Sequence, residues 1–240
     1  MWVLTGETTS SGLLAFGYTE AALTALMLRV LRPGMRFIDV GAHLGYEALL
    51  ACILVGESGR VVSFEPQSRI FDYTARNLEK FPQARVVRSA VADFVGELEF
   101  DELPLLRSAF SGTKTGRAAG RLVKVRVTTL TDALIGDERP ADFIKVDVEA
   151  GEMSVLRGAR DVLERDKPFL VLEAEMPSGS APRPRVREFN EFLSPLGYRG
   201  ISFEFDGALK VAPLEGLVAG HANVAFVPET RSEFQFLLRP

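Results

Sequence analysis

The chain has 240 residues, 47% apolar and 25% charged, with 28 basic against 32 acidic side chains and a formal charge of −4. Those proportions fit one soluble globular domain and exclude a repeat array, a collagen-like chain or a disordered tail. Without a basic excess a nucleic-acid partner is not expected, and the single cysteine, Cys52, excludes an intramolecular disulfide or a cysteine-rich zinc site.

No apolar run reaches the roughly 18 residues needed to span a bilayer, and the first residues lack a basic stretch leading into an apolar one. A cytoplasmic protein with no membrane partner is the expectation. Residues 13–31 carry alanines, leucines and Met27 at helical spacing and stop at Arg32-Pro33-Gly34, which predicts one leading helix. Residues 36–40 then read as a strand, Gly41 as a turn, and residues 48–55 as a helix, the opening of a βαβ unit.

The alternation continues with strands at 60–64, 85–89, 143–148 and 169–174 and helices at 69–80 and 151–164. Such spacing implies an α/β fold with a mostly parallel sheet and helices on both faces. Residues 198–205 and 223–227 are β-prone, with a helix at 187–193 before them, and predict an antiparallel pair finishing the sheet. Two stretches fit no element: 106–121, polar and glycine-rich, reads as a lid or a disordered segment, and 177–184, with three prolines, as a second loop. The expected organisation is one domain over 1–240, with a helical segment (1–34), a cofactor-binding core (35–175) and a C-terminal substrate-side and sheet-edge region (176–240).

Ligands of open parallel sheets bind beyond the carboxyl ends of the strands. The first such end carries Asp39-Val40-Gly41-Ala42-His43-Leu44-Gly45-Tyr46, where Gly41 and Gly45 let the backbone approach a ligand. The glycine spacing departs from the G-x-G-x-x-G dinucleotide fingerprint, which disfavours a nicotinamide-dependent oxidoreductase. Asp39, repulsive to a pyrophosphate, suits an amino group and a sulfonium. Glu65 ends the second strand, 24 residues after Gly41, where a carboxylate can accept from both hydroxyls of a ribose. For these residues the plain structural alternative is a turn whose Asp39 caps the next helix, and for His43 a bond to backbone.

Lys145, Asp147 and Glu149 alternate at the end of the fourth strand, so they share one side if extended structure persists through Glu149. A lysine and two carboxylates in such a place either pair with one another or serve a ligand.

Taken together, residues 37–46, the run Gly59 to Glu65-Pro66, Ser89-Ala90-Val91-Ala92-Asp93, and Ile144 to Glu149 with Val155-Leu156-Arg157-Gly158-Ala159 resemble the FkbM family of S-adenosylmethionine-dependent methyltransferases. The resemblance implies the class I methyltransferase (Rossmann-like) fold, with a seven-stranded sheet whose last strand is antiparallel. It also implies that Asp39 and the Gly41 to Gly45 turn, with His43, hold the methionine part of the cofactor. Glu65, followed by Pro66, would hold the ribose, and Ser89 and Ala90 the adenine edge. The sequence departs from the family at His43, where asparagine is usual, and at Glu149-Ala150-Gly151-Glu152, where Glu-Gly-Ala-Glu is usual.

The implied activity is O-methylation of a small-molecule or sugar-containing acceptor, with N- or C-methylation and a non-catalytic nucleoside-binding protein as alternatives. Asp147, which also borders the cofactor, or Glu149 is the candidate base, and Lys145 the electrostatic partner of a developing oxyanion. Asp147, Glu173 and Glu175 offer hard oxygens for Mg2+ in a metal-assisted version. His221 is a second candidate base whose simpler reading is structural. The expected partners are the acceptor and, at most, a second copy in a homodimer.

Overall fold

The computed structural model describes residues 1–112, 120–135, 140–149, 151–174, 184–214 and 223–238. Five parallel strands form the heart of the main sheet: β1 (Arg36–Val40), β2 (Arg60–Phe64), β3 (Ala84–Val87), β7 (Phe143–Val146) and β8 (Phe169–Glu173). Beyond β8 come β11 (Asn223–Pro228), β9 (Tyr198–Phe205) and the edge strand β10 (Leu209–Pro213), each antiparallel to its neighbour. The order is β10-β9-β11-β8-β7-β1-β2-β3. The sheet therefore has eight strands rather than seven, because the short strand β10 adds an edge. The expected antiparallel pair exists, but β11 lies between β8 and β9 instead of at the rim.

Period-2 burial on both sides of the sheet explains the layers. Ile38, Val40, Ile144, Val146, Leu170 and Leu172 face one core with α6 (Glu152–Gly158), α7 (Arg160–Asp166) and α8 (Pro184–Leu193). Phe37, Val61, Phe143, Phe169 and Val171 face the other, with α2 (Ala21–Val30) and α3 (Tyr46–Val55). Across β1, β7 and β8, the Phe37, Phe143 and Phe169 rings meet at 5.2 and 5.1 Å, a same-face rung that helps fix the register. Cys52 is buried in this second core, which pushes its thiol up to about 12.

Three predicted elements change form. The single leading helix is two, α1 (Thr8–Phe16) and α2, bent by 71° after Gly17, which takes the left-handed cap conformation at φ 79. The helix predicted at 151–164 breaks at Ala159 (φ −102, ψ 1) into α6 and α7. The strand predicted through residue 148 stops at Val146. Among the described residues no single helix is long and apolar enough to cross a membrane.

The sequence reading had no counterpart for a second sheet, in which β4 (Ala90–Val91) and β5 (Gly96–Glu102) flank β6 (Arg121–Thr128). Glu97 faces Arg126 and Glu99 faces Lys124 across the antiparallel pair, while Phe100 and Val125 are buried. The lid reading is corrected at both ends: residues 105–110 form a 3₁₀ turn and Arg121 opens β6, while 113–119 lie outside the described residues. The loop expected at 177–184 likewise lies outside them, apart from Pro184 at the start of α8. The remaining helices are α4 (Ser68–Leu78), against β3, and the short α5 (Leu130–Ala133).

Candidate active site

At the end of β1 the chain passes under the start of the Asp147 segment so closely that a Cβ on Gly41 would lie 1.8 Å from the Asp147 carbonyl oxygen. Gly41 also has φ 88, and the Gly41 and Ala42 N–H groups both donate to the Phe64 carbonyl at 3.0 Å. His43 follows at φ 46, in the left-handed region that asparagine and histidine tolerate better than most side chains. That conformation gives a physical reason for histidine standing where asparagine is usual. Gly45, at φ 79, caps α3 and packs against Thr74.

The turn is tied to the end of β2 through Glu65. One carboxylate oxygen accepts from the His43 N–H at 3.0 Å and the other from the Gln67 N–H at 2.8 Å. Glu65 is 3% exposed, and burial pushes its carboxyl up to about 8 against the pull of those two amides. His43 Nε2 lies 2.9 Å from Ser108 Oγ, and Gln67 Nε2 donates to the Ser108 carbonyl at 3.1 Å, so the 3₁₀ turn is fastened over the β1 and β2 ends. Burial holds the His43 imidazole below its ordinary pKa.

Lys145 is 3% exposed and its Nζ lies 3.0 Å from Asp147 Oδ2. Burial would lower its pKa, but Asp147, then Glu47, Asp39 and Glu20, outweigh that pull and hold the ammonium well above its ordinary value. Lys145 is therefore a fixed cation rather than a base. Asp39, its register partner on β1, is fully buried, and neither of its carboxylate oxygens has a hydrogen-bond partner. Burial, countered by Lys145, pushes Asp39 up to about 6. At the end of β8, Glu173 carries a buried Oε2 without a partner and is pushed up to about 9 by burial and by Asp147, Glu152 and Glu149.

These groups surround one cavity of about 480 Å³ at the carboxyl ends of the strands. It brings together Gly41, His43, Glu65, Pro66, Ser89, Ala90, Lys145, Asp147, Glu149 and Glu173. Asp39 and Gly45 do not line it: Asp39 lies beneath the turn, and Gly45 packs onto α4. Ser89 lines the wall, but its hydroxyl lies 2.9 and 3.0 Å from the Ala90 and Arg126 carbonyls, joining the second sheet. Glu149 reaches the cavity from a left-handed turn at φ 52, not from an extended strand, so the shared-face argument holds for Lys145 and Asp147 alone.

Glu175 and His221 lie outside the described residues. Among the described ones no group of three or more His, Cys, Asp or Glu side chains is placed to hold a metal ion, and Asp147 pairs with Lys145 instead. Sequence reasoning missed Thr9, Glu20 and Glu47, and an apolar wall of Phe94, Leu98, Phe100 and Phe110. The alternation of Leu98 with Phe100 and of Val123, Val125 and Val127 was the available signal for that wall.

Two pH and substitution results follow from these placements. A carboxyl whose folded pKa is raised holds a proton that the unfolded chain releases, so its contribution is present at low pH and lost as pH climbs through the folded value. Glu65 (about 8) and Glu173 (about 9) should make the unliganded protein melt at a lower temperature at pH 9 than at pH 7. A flat or rising melting temperature across that window refutes the assignment. Glu65→Ala removes the acceptor of two backbone N–H groups, so calorimetry should show nucleoside-cofactor affinity falling about tenfold or more, with a drop in the unliganded melting temperature as well.

The family profile of the methyltransferase FkbM domain matches residues 39–199. The chain belongs to the FkbM methyltransferase family. It is 28% identical over 139 residues to the hexuronic acid methyltransferase AglP of Haloferax volcanii, covering 56% of this chain and 54% of that one. It is 36% identical over 73 residues to a protein-L-isoaspartate O-methyltransferase of Methanopyrus kandleri, covering 30% of this chain and 32% of that one. The chain thus spans about half the length of the first relative and about a third of the second.

Among solved structures, an FkbM methyltransferase of Methylobacillus flagellatus superposes with a TM-score of 0.51 at 19% identity, covering 82% of this chain and 48% of that one. Aeropyrum pernix fibrillarin, solved with natively bound S-adenosyl-L-methionine, gives 0.50 at 16% identity, with 85% and 73% covered. These likenesses show the class I methyltransferase fold.

In this FkbM domain the block at 155–159 serves the second sheet. Ser154 Oγ donates to Asp93 Oδ1 at 2.7 Å, Arg157 Nε lies 2.9 Å from Asp93 Oδ2, and a Cβ on Gly158 would lie 2.0 Å from the Ala92 carbonyl oxygen. The family block therefore seats α6 on the strand that walls the cavity.

Proposed function

We propose that the chain is an S-adenosylmethionine-dependent O-methyltransferase acting on a hydroxyl of a small-molecule or sugar-containing acceptor. The observation that carries this reading is the charge balance of the cavity, where Glu20, Glu47, Glu65, Asp147, Glu149 and Glu173 face the single cation Lys145 among the described lining residues. Burial raises the carboxyls of Glu47 and Glu65, and a ligand bearing a sulfonium and an amino group supplies the positive charge that suits such a site. The closeness of Gly41 to the Asp147 carbonyl leaves a smooth floor at the turn, and Glu65, already oriented by two amides, retains lone pairs for a ribose. Ser89 and Ala90 border the adenine side. Asp39 contributes charge from beneath the floor rather than contact.

The cofactor supplies a methyl group on a positively charged sulfur. With it bound, attack by the acceptor oxygen would form a carbon–oxygen bond as the carbon–sulfur bond breaks, and the acceptor's proton would have to leave. Asp147 takes that proton, with Glu149 as the alternative, and the Lys145 ammonium holds Asp147 in place and steadies the negative charge growing on the acceptor oxygen. Phe94, Leu98, Phe100 and Phe110 give the cavity an apolar side.

Calorimetry should show S-adenosylmethionine or its demethylated product binding far more tightly than NAD. Labelled methyl donor, incubated with protein and candidate acceptors, should yield an alkali-stable methyl ether. Equal binding of NAD refutes the cofactor assignment, and label on nitrogen or carbon refutes O-specificity.

A further inference from the structure

Glu20 lies outside the stretch matched by the family profile, yet it lines the cavity. Its backbone takes φ 44, ψ 64, a left-handed conformation that is strained for a residue with a Cβ. The surrounding chain enforces it. Thr24 Oγ1 donates to the Thr19 carbonyl at 2.8 Å and lies 3.0 Å from the Tyr46 hydroxyl, so the turn that presents Glu20 is pinned to α3. Asn223 Nδ2 donates to Glu20 Oε2 at 2.8 Å, and Asn223 is the cross-strand partner of Glu173.

Glu173 lines the same wall, and its Oε2 is buried without a hydrogen-bond partner. Its strand, β8, is three positions from β2 in the sheet, so Glu173 stands about 14 Å from the Glu65 end. The cavity thus has a nucleoside end at Glu65 and Ser89 and a second polar end at Glu20 and Glu173, with Lys145 and Asp147 between them. Asp147 and Lys145 from the end of β7, Glu149 from the turn beyond it and Glu152 from α6 face Glu173, and the carboxyls outnumber the ammonium. Glu20 is exposed at the mouth, where solvent moderates the upward push from its surroundings and from Glu47.

We propose that Glu20 and Glu173 form the acceptor subsite, which selects a group that donates hydrogen bonds, a hydroxyl or an ammonium, beside the methylated atom and rejects a carboxylate there. This rests on the methyltransferase reading. A hydroxyl or an ammonium adds no anion to this end, whereas a carboxylate stands against Asp147, Glu149 and Glu20 with Lys145 alone to offset them. The hexuronic acid named for the Haloferax relative is therefore not the acceptor class of this chain.

The test supplies purified protein with methyl-labelled S-adenosylmethionine and a metabolite extract of its native host. Products are hydrolysed to the methylated unit and separated by ion exchange. Label should collect in the unretained fraction for hydroxyl-only acceptors and on the cation exchanger for amino-bearing ones, which tells the two donor sources apart. Label held by the anion exchanger, or lost as methanol from a methyl ester, overturns the proposal.

Glu20→Gln, measured in parallel, should leave affinity for the demethylated cofactor product within about twofold by calorimetry while transfer falls about tenfold or more. A tenfold loss of that affinity instead places Glu20 in the cofactor site and defeats the assignment. Wild-type protein that neither binds the cofactor nor transfers label defeats the methyltransferase reading itself, and with it the subsite.

Discussion

Asp147→Asn is expected to cut methyl transfer by about 10²–10⁴-fold, the usual contribution of a positioned acid or base. The substitution keeps the size of the side chain and removes the charge and the proton acceptor. Folding should survive, because Lys145 keeps the carboxylates of Glu47, Asp39 and Glu20 around it. Cofactor affinity should change by only a few-fold, since Glu65 and the glycine turn are untouched. Single-turnover rates with saturating donor, read beside calorimetry and thermal melts, separate these effects. Near-normal turnover with a lowered melting temperature makes the Lys145–Asp147 pair structural and hands the base role to Glu149.

Lys145→Met should have the larger effect on stability. It leaves Asp147, Glu47, Asp39 and Glu20 without the cation that now offsets them, and breaking a buried pair by removing one partner costs about 3–5 kcal/mol. For a chain of this size that corresponds to a fall in melting temperature of roughly 10 °C. The deficit should shrink as pH drops from 8 to 5, because protonated carboxyls no longer need the ammonium. Equal melting temperatures for variant and wild type at pH 8 contradict the charge arrangement described here.

The parallel core was legible because its strands are short β-prone runs, three of them closed by charged or turn residues: Asp39 and Gly41 at β1, Glu65 at β2, Lys145 and Asp147 at β7. Placing these residues at consecutive strand ends needed only period-2 alternation and the rule for open sheets. The β5–β6 hairpin was lost because its partners stand on either side of a glycine-rich connection. The alternating Leu122-Val123-Lys124-Val125-Arg126-Val127 was passed over once that connection had been read as a lid. The break at Ala159 follows Gly158, but a single glycine inside a helical pattern is tolerated and does not by itself announce a stop.

Glu20 was illegible for a different reason. Its place in the site depends on a left-handed turn and on a hydrogen bond from a residue 203 positions away, neither of which is written in local sequence. Glu149 was misplaced by the same kind of omission, since alternation predicts its side only while the strand lasts.

The 1.8 Å separation between an imagined Cβ on Gly41 and the Asp147 carbonyl also bears on how such an enzyme can change its substrate. The Gly41 turn and the Asp147 segment touch backbone to backbone, so no rotamer choice can widen the gap and any side chain there pushes the two strands apart. New acceptors must therefore be accommodated from the remaining described sides, the N-terminal turn around Glu20 and the second sheet. Those parts hang on hydrogen bonds and side-chain packing, which single substitutions can revise one at a time. Change at the Gly41 end therefore needs the backbone to move, whereas change on those other sides needs only side-chain contacts to be remade.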